Sequence, residues 1–340
     1  MKLSVAALSS IAFLSMANTC RSSSSELVKL PWDEARVSRD LKVLSAEPHP
    51  LGSARIAFLA DYLEKEMKDQ GLESGRDKFT AEVPDPELLG QDASPMRKAT
   101  LSIPMQNIFA KFESGKSDCA FLVASHYDSK RLTNGDGIGA NDSGSSSVAL
   151  LELMRGLNAA KKGKSLDLRC TVIAVWFDGE EAYLPEWRDG QTRHPARIVD
   201  NTYGSRQLAD SLKACGGGYC LPDVYGGQKI EGLILLDMVG SPDLRLTRES
   251  SSSKAYAKIA QDLDKKLFQG QLFTRSTEKA VEDDHIPFVE KGIPAIDLIG
   301  FETLDHWHQP SDTIENVSLR SIEQATELTG AMLQKILTKE

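Results

Sequence analysis

The chain has 340 residues, of which 41% are hydrophobic and 26% are charged, and this composition excludes a disordered, collagenous or coiled-coil protein. Its 40 basic and 49 acidic residues give a formal charge of −9 at pH 7, which argues against a nucleic acid or an anionic membrane surface as the partner. The length is sufficient to bury one large core or two modest ones.

The first 19 residues have the pattern of an export signal. Lys2 precedes an apolar stretch from Leu3 to Met16, and small or polar residues follow up to Thr19. That stretch is too short and too rich in serine for a transmembrane helix, and no later stretch is long enough for one. We therefore predict that residues 1–19 are a signal peptide, that the protein is exported to the periplasm, the cell envelope or the medium, and that no segment spans a membrane.

Cys20 leaves two alternatives for the mature N-terminus. Together with the serine-rich residues 21–25 it resembles a bacterial lipoprotein junction, in which a lipid on the cysteine anchors the protein. Ala17 and Thr19 depart from the lipoprotein pattern, so simple cleavage of the signal peptide is the alternative. In both cases we predict a flexible tether over residues 20–27 and a single folded domain over residues 28–340.

Four cysteines remain after Cys20, which are Cys119, Cys170, Cys215 and Cys220. An even number of cysteines in an exported protein permits disulfide bonds. Cys215 and Cys220 bracket three glycines and could close a loop, whereas Cys119 and Cys170 each begin a predicted strand. The sequence leaves all three pairings open, as well as the alternative of four buried free thiols.

Helices and strands alternate along most of the chain. Amphipathic helices are predicted over 37–44 and 56–67, with a turn at 48–52 and an irregular stretch at 84–95. Short apolar runs then predict four strands buried on both faces, and helical periodicity predicts three more helices: strands 120–124, 171–177, 233–236 and 295–299, and helices 148–157, 256–267 and 322–336. This alternation predicts an α/β fold with a central, mostly parallel mixed sheet covered by helices on both faces.

Polar side chains follow each of the four predicted strands. In chain order they are His126 and Asp128, then Asp178, Glu180 and Glu181, then Asp237, then Trp307 and His308. Because the carboxyl ends of strands in an open α/β sheet converge on one crevice, we expect these side chains to gather there. Histidine, aspartate and glutamate are the donors that suit a catalytic zinc ion, which takes three protein ligands and keeps one position open.

The adjacent residues Glu180 and Glu181 fit this chemistry in one specific way. In an extended segment their side chains point in different directions, so one can bind a metal while the other carries a proton. Two solvated loop charges are the alternative, but the pair directly follows a nearly continuous apolar run.

Six motifs between residues 120 and 310 carry a family resemblance. They are SHYDSK at 125–130, FDGEEA at 177–182, YGSR at 203–206, LD at 236–237, EDDHIPF at 282–288 and WH at 307–308. With these motifs the chain resembles the glutaminyl-peptide cyclotransferases, or glutaminyl cyclases, within the superfamily of zinc aminopeptidases. The resemblance implies cyclisation of the N-terminal glutamine of a peptide or protein to pyroglutamate, with release of ammonia.

The resemblance also implies a set of site residues and makes the predicted domain at 28–340 a catalytic one. A single zinc ion would be held by Asp142, Glu181 and His308. Glu180 would be the catalytic acid and base, and Asp237 and Asp283 would complete its hydrogen-bond network. The substrate would contact Trp187, Trp307 and Glu282.

A two-zinc aminopeptidase that removes N-terminal residues is the alternative function. Its two zinc ions would be held by His126, Asp142, Glu181, Asp237 and His308, with Glu180 as the base. The cyclase is favoured by Trp307 directly before the ligand histidine, by Asp283 where aminopeptidases usually have serine, and by the long segment 184–201 that contains Trp187. A third hypothesis, an inactive binding module tethered by a lipid, is disfavoured because all of the predicted ligands and Glu180 are retained.

Overall fold

The computed structural model describes residues 27–88, 100–113, 117–163, 166–185, 199–274 and 276–338. The predicted signal peptide over 1–19, Cys20 and Trp187 lie outside the described residues, as does the predicted tether except for its last residue. Within the described ranges, none of the helices combines the length and the apolar character that a membrane crossing requires.

The described residues form seven α-helices and twelve strands. The helices are α1 Glu34–Leu44, α2 Ala54–Asp69, α3 Ser146–Lys162, α4 Tyr203–Ser211, α5 Lys254–Phe268, α6 Ile286–Glu290 and α7 Leu319–Leu337. The strands are β1 Glu73–Pro84, β2 Thr100–Phe112, β3 Cys119–His126, β4 Arg131–Leu132, β5 Gly135–Asp136, β6 Thr171–Phe177, β7 Lys213–Cys215, β8 Gly218–Cys220, β9 Lys229–Asp237, β10 Arg248–Glu249, β11 Glu278–Lys279 and β12 Ala295–Ile299. All of the helices and strands predicted from the sequence are present.

Eight of the strands form one mixed sheet. Its order is β1-β2-β6-β3-β9-β8-β7, and β12 also pairs with β9. The central strands β6, β3, β9 and β12 are parallel to one another. On one side of them β2 is antiparallel to β6 and β1 is antiparallel to β2. On the other side β8 is antiparallel to β9 and β7 is antiparallel to β8. The predicted α/β fold is confirmed, with the parallel part of the sheet at its centre.

Helices cover both faces of the central strands. Phe121 and Val123 of β3 belong to one core cluster, which also contains buried residues of α1, α2, α3, α5 and α7. Leu122 and Ala124 of the same strand belong to the other cluster, which contains residues of α4 and α6. Every residue of β3 is buried, which explains why the strand has a continuous apolar run instead of alternating residues.

The hairpin of β1 and β2 was not predicted from the sequence. It pairs twelve residues on each strand, from Glu73 opposite Lys111 to Pro84 opposite Thr100. The stretch 84–95 was predicted to be irregular. Its first residue, Pro84, ends β1, and a short 3-10 helix follows at Pro86–Leu88. The remainder of that stretch lies outside the described residues.

Two disulfide bonds resolve the pairing that the sequence left open. Cys119 is bonded to Cys170, and Cys215 is bonded to Cys220. The first joins the beginning of β3 to the residue before β6, which is its neighbour in the sheet. The second links the last residue of β7 to the last residue of β8, its partner in the hairpin.

Loss of the first disulfide is expected to destabilise the protein more than loss of the second. The paired cysteines are separated by 51 and 5 residues respectively, and a cross-link that closes a longer loop removes more entropy from the unfolded chain. Replacing both Cys119 and Cys170 by alanine should lower the free energy of unfolding by about 2–4 kcal/mol in a denaturant titration. Replacing Cys215 and Cys220 should cost less, and an equal or larger cost would contradict this account.

Candidate active site

The side chains that follow the parallel strands meet at the carboxyl edge of the sheet. His126 ends β3, Glu180 and Glu181 follow β6, and Asp237 ends β9. All four residues are buried. The loop after β12 brings His308 to the same place, where its ring nitrogen Nε2 lies 3.2 Å from Glu181 Oε1. The topology therefore gathers residues that are far apart in the chain, as the sequence predicted.

Asp142, Glu181 and His308 form a first group of candidate metal ligands. One donor atom of each lies within 4.8 Å of the other two, and His308 Nε2 is 3.6 Å from Asp142 Oδ2. Glu181 is buried, and besides the contact of its Oε1 with His308 its Oε2 lies 3.8 Å from Lys130 Nζ. Two carboxylates with one imidazole are a donor set that fits Zn²⁺.

His126, Asp142 and Asp237 form a second group of the same kind. Their donor atoms also lie within 4.8 Å of one another. His126 Nε2 is 3.1 Å from Asp142 Oδ1 and 3.3 Å from Asp237 Oδ1. Because Asp142 belongs to both groups, the arrangement of donor atoms by itself does not distinguish one metal ion from two.

Asp128 is a positioning residue of the site that the sequence placed at a strand end without assigning a role. Its Oδ1 accepts a hydrogen bond from the backbone N–H of Glu180 at 3.0 Å, and its Oδ2 accepts one from that of Glu181 at 3.1 Å. Asp128 Oδ1 also lies 3.3 Å from His126 Nδ1. The spacing of two residues from His126, which places both side chains on one side of an extended segment, was the signal available in the sequence.

Three carboxyl groups, those of Glu180, Asp283 and Asp237, lie beside the first group of candidate metal ligands. Burial raises the pKa of Glu180 well above its usual range, and the carboxyls of Glu181 and Asp283 raise it further. Burial also raises the pKa of Asp283 well above its usual range, with Asp237 as the next cause, and it raises the pKa of Asp237. A carboxyl group with a raised pKa holds a proton more readily, so the cluster can both take up and return protons.

A cavity of about 360 Å³ opens over these groups. Asp142 and His308 line one part of it, and Glu180, Asp237 and Asp283 line another. Its apolar wall consists of Ile299, Phe301, Leu304 and Trp307, among other residues. The Trp307 ring packs edge-on against Phe301 at 5.3 Å and stacks on the His308 ring at 4.0 Å, measured between ring centroids. The cavity is of a size that suits a small ligand or one end of a longer one.

Two of the three predicted substrate-contacting residues line the cavity. Trp307 lines the cavity wall, and Glu282 lines the cavity with an exposed side chain. Trp187 lies outside the described residues, as does most of segment 184–201.

Asp283 is backed by a buried cluster around His285. His285 Nε2 lies 3.1 Å from Glu249 Oε2 and 2.9 Å from Ser251 Oγ, and Nδ1 lies 3.8 Å from Asp297 Oδ2. One donor atom each of Asp283, His285 and Asp297 lies within 4.8 Å of the others. Sequence reasoning missed Glu249 and Asp297, because Asp297 sits inside an apolar run that indicated only a strand.

Comparison with known proteins gives one family and one fold. The model of peptidase family M28 matches residues 107–333. The chain is 28% identical over 306 residues to the glutaminyl-peptide cyclotransferase-like protein of Mus musculus, covering 85% of this chain and 72% of that protein. For the protein of the same name from Bos taurus the identity is 27% over 249 residues, covering 69% of this chain and 61% of that protein.

Two solved structures share the fold. Porphyromonas gingivalis glutaminyl cyclase aligns with a TM-score of 0.70 and 22% identity, covering 91% of this chain and 100% of that one. A leucine aminopeptidase precursor from Bacteroides thetaiotaomicron VPI-5482 aligns with a TM-score of 0.72 and 17% identity, covering 93% of this chain and 100% of that one. The same fold therefore occurs in proteins of both names, and the choice between the two activities depends on the site.

Proposed function

Because the chain belongs to peptidase family M28, we propose that it is a zinc-dependent glutaminyl-peptide cyclotransferase. It converts the N-terminal glutamine of peptides or proteins to pyroglutamate and releases ammonia. The names of its mouse and bovine relatives support this assignment. The alternative is a two-zinc aminopeptidase, since the donor atoms of the second group are present as well.

The buried Asp283 in the cavity is the observation that carries the proposal. It lines the cavity together with Glu180 and Asp237, next to the first metal group. Cyclisation removes a proton from the α-amine and supplies one to the departing amide nitrogen of the same residue. A cluster of carboxyl groups that hold a proton between them is suited to serve two nitrogens within one small cavity.

In this mechanism each group of the chain has a defined task. Glu180 accepts the proton that the attacking α-amine loses as its nitrogen bonds to the side-chain amide carbon, and it returns that proton to the nitrogen that leaves as ammonia. Asp237 and Asp283 keep Glu180 in a proton-sharing group. When bound by its three ligands, zinc supplies Lewis-acid polarisation of the substrate's amide carbonyl. The wall formed by Phe301 and Trp307 excludes water, whose attack on the same carbon would yield glutamate instead of a ring.

We propose one zinc ion, held by Asp142, Glu181 and His308. The carboxylates of the second group already contact His126, and His126 Nε2 is hydrogen-bonded to Asp237. His126 Nδ1 also lies 3.3 Å from Asp128 Oδ1, so carboxylates of the chain contact both nitrogens of the His126 ring. Zinc should therefore be titrated into chelator-treated protein while cyclisation of a Gln-initiated peptide is measured. Activity should reach its maximum at one equivalent of zinc, and a maximum at two equivalents would contradict this stoichiometry.

We further propose that the protein is exported, with residues 1–19 as the signal peptide and 28–340 as the catalytic domain. The two disulfide bonds support export, because such bonds persist in oxidising compartments. The mass of the mature N-terminal peptide from cell-envelope fractions distinguishes a lipid on Cys20 from simple cleavage. An N-terminus that still carries the first residues would contradict the signal peptide.

Replacing Trp307 by leucine is expected to weaken substrate binding more than it slows the chemical step. The substitution opens the aromatic wall of the cavity while leaving the carboxyl groups in place. We expect KM for a Gln-initiated peptide to rise about tenfold, a loss of about 1.4 kcal/mol, with a smaller change in kcat. Trp32→Leu is the matched control, because Trp32 lines a different cavity, together with residues of α7. An unchanged KM in zinc-loaded Trp307→Leu would remove this residue from the substrate site.

A further inference from the structure

Asp312 joins the backbone of one candidate ligand to the turn that carries another. It is buried, and its Oδ1 accepts a hydrogen bond from the backbone N–H of Asn141 at 2.8 Å. Its Oδ2 accepts one from the N–H of Asp142 at 3.0 Å. Its backbone carbonyl accepts one from the N–H of Ala140 at 3.3 Å. Three consecutive N–H groups, ending at a candidate zinc ligand, are therefore bound by one residue.

The other end of this connection is the turn that contains His308. The N–H of Asp312 donates to Gln309 O at 3.0 Å, and the N–H of Gln309 donates to His306 O at 3.1 Å. His306 Nδ1 lies 2.9 Å from Ser311 Oγ, which closes the same turn through side chains. His308 itself adopts a φ of 53°, in the left-handed region that side chains rarely occupy. The conformation of His308 thus belongs to a compact turn whose last residue is Asp312.

The spacing between Asp142 and His308 depends on this contact between two irregular segments. Asp142 lies in the short π-helical turn Ala140–Ser145, where its own φ and ψ are not helical, and His308 lies in a turn. No α-helix or strand therefore fixes the 3.6 Å between Asp142 Oδ2 and His308 Nε2. On the opposite side, Asn141 Oδ1 accepts a hydrogen bond from the N–H of Gly240 at 2.7 Å, which ties the loop to the segment after β9. Asp312 ties the same loop to the turn of His308.

We propose that Asp312 is a positioning residue that sets the separation of Asp142 and His308 and thereby strengthens zinc binding. The inference rests on the proposed function, because it takes Asp142, Glu181 and His308 as the zinc ligands. Residues that hydrogen-bond to metal ligands orient those ligands and thereby contribute to metal affinity. Their replacement typically weakens metal binding about 10- to 100-fold.

The test is the dissociation constant for zinc, measured in competition with a chromophoric chelator. Asp312→Asn keeps the shape of the side chain but turns one acceptor oxygen into an NH₂ group, which cannot accept a hydrogen bond from the backbone. We expect this variant to bind zinc about 10- to 100-fold more weakly than the parent protein. Affinity within twofold of the parent would overturn the proposal.

Asp264 offers a matched control for the loss of stability. It is buried, and its two oxygens accept hydrogen bonds from the backbone N–H groups of Leu272 and Phe273 at 3.1 and 3.0 Å. This is the same double contact, in α5 and the turn after it, which carry no candidate ligand. Asp264→Asn should lower the melting temperature and leave the zinc affinity unchanged. Equal weakening of zinc binding in both variants would overturn the proposal, because it would show a general effect of destabilisation.

A second variant keeps the proposal testable if Asp312→Asn does not fold. Asp312→Glu retains the charge but moves the carboxylate by one methylene group, so it should also weaken zinc binding. Parental zinc affinity in this variant would show that the position of the carboxylate does not matter, and it would overturn the proposal. Failure of the proposed function has a different signature. In that case the parent protein either binds no zinc or keeps its zinc after replacement of His308.

Discussion

Glu180→Gln is expected to reduce turnover of a Gln-initiated peptide by about 10²- to 10⁴-fold while zinc stays bound. Glu180 lines the cavity but belongs to neither group of candidate ligands. Glutamine fills the same space and keeps the backbone contact to Asp128, yet its amide cannot accept the proton of the attacking amine. The substitution therefore separates proton transfer from metal binding.

Steady-state kinetics and zinc content should be measured on the same preparation of this variant. Glu302→Gln makes the same chemical change at a glutamate whose Oε1 accepts a hydrogen bond from the backbone of Thr277 at 2.9 Å, and it should turn over within about twofold of the parent protein. If Glu180→Gln retained more than a tenth of the parental kcat, the acid/base assignment would fail. Loss of zinc in this variant would instead place Glu180 in the metal site.

His308→Ala is expected to remove both the zinc ion and the activity. His308 is the only nitrogen donor of the first group, and its Nε2 lies within 4 Å of both carboxylate partners, at 3.2 Å from Glu181 and 3.6 Å from Asp142. Two carboxylates alone are a poor site for Zn²⁺, which takes three protein ligands at catalytic centres. Zinc per chain after dialysis should fall from about one to less than about a tenth.

His126→Ala provides the contrast, because His126 lies at the same edge of the sheet but belongs only to the second group of candidate ligands. In the one-zinc account His126 is not a ligand, so this variant should still bind one zinc ion per chain. In the aminopeptidase alternative it should lose one of two ions. Full zinc content in His308→Ala, in a variant with a parental circular dichroism spectrum, would remove His308 from the ligand set.

The centre of the fold was predictable because its strands are buried on both faces. Such strands, like β3 and β6, have continuous apolar runs that stand out from the helical periodicity around them. The β1–β2 hairpin lacks this signal because β1 is an edge strand with mostly exposed or half-buried residues. Arg76 of β1 pairs with Asp61 and Glu64 of α2, so part of what holds this strand is a set of ion pairs with no pattern in the sequence.

The residues of the candidate site that could be predicted are the acidic residues and histidines that follow the ends of strands. The positions of Glu181 and His308 follow from the fold, since the carboxyl ends of the parallel strands converge. Asp312 gave no comparable signal. Asp312 binds the N–H of a residue 170 positions away, and such a contact depends on how two loops pack and not on local sequence. The contact of Asp312 with the candidate ligand Asp142 is therefore evident only in the structure.

The most direct test of the proposed function is to offer the purified protein one peptide that begins with glutamine and one that begins with leucine. The products are weighed by mass spectrometry, and zinc per chain is measured on the same sample. A cyclase should remove the mass of one ammonia molecule from the first peptide and leave the second intact, with one zinc ion bound. Release of free leucine from the second peptide, with two zinc ions bound, would contradict this account and identify an aminopeptidase.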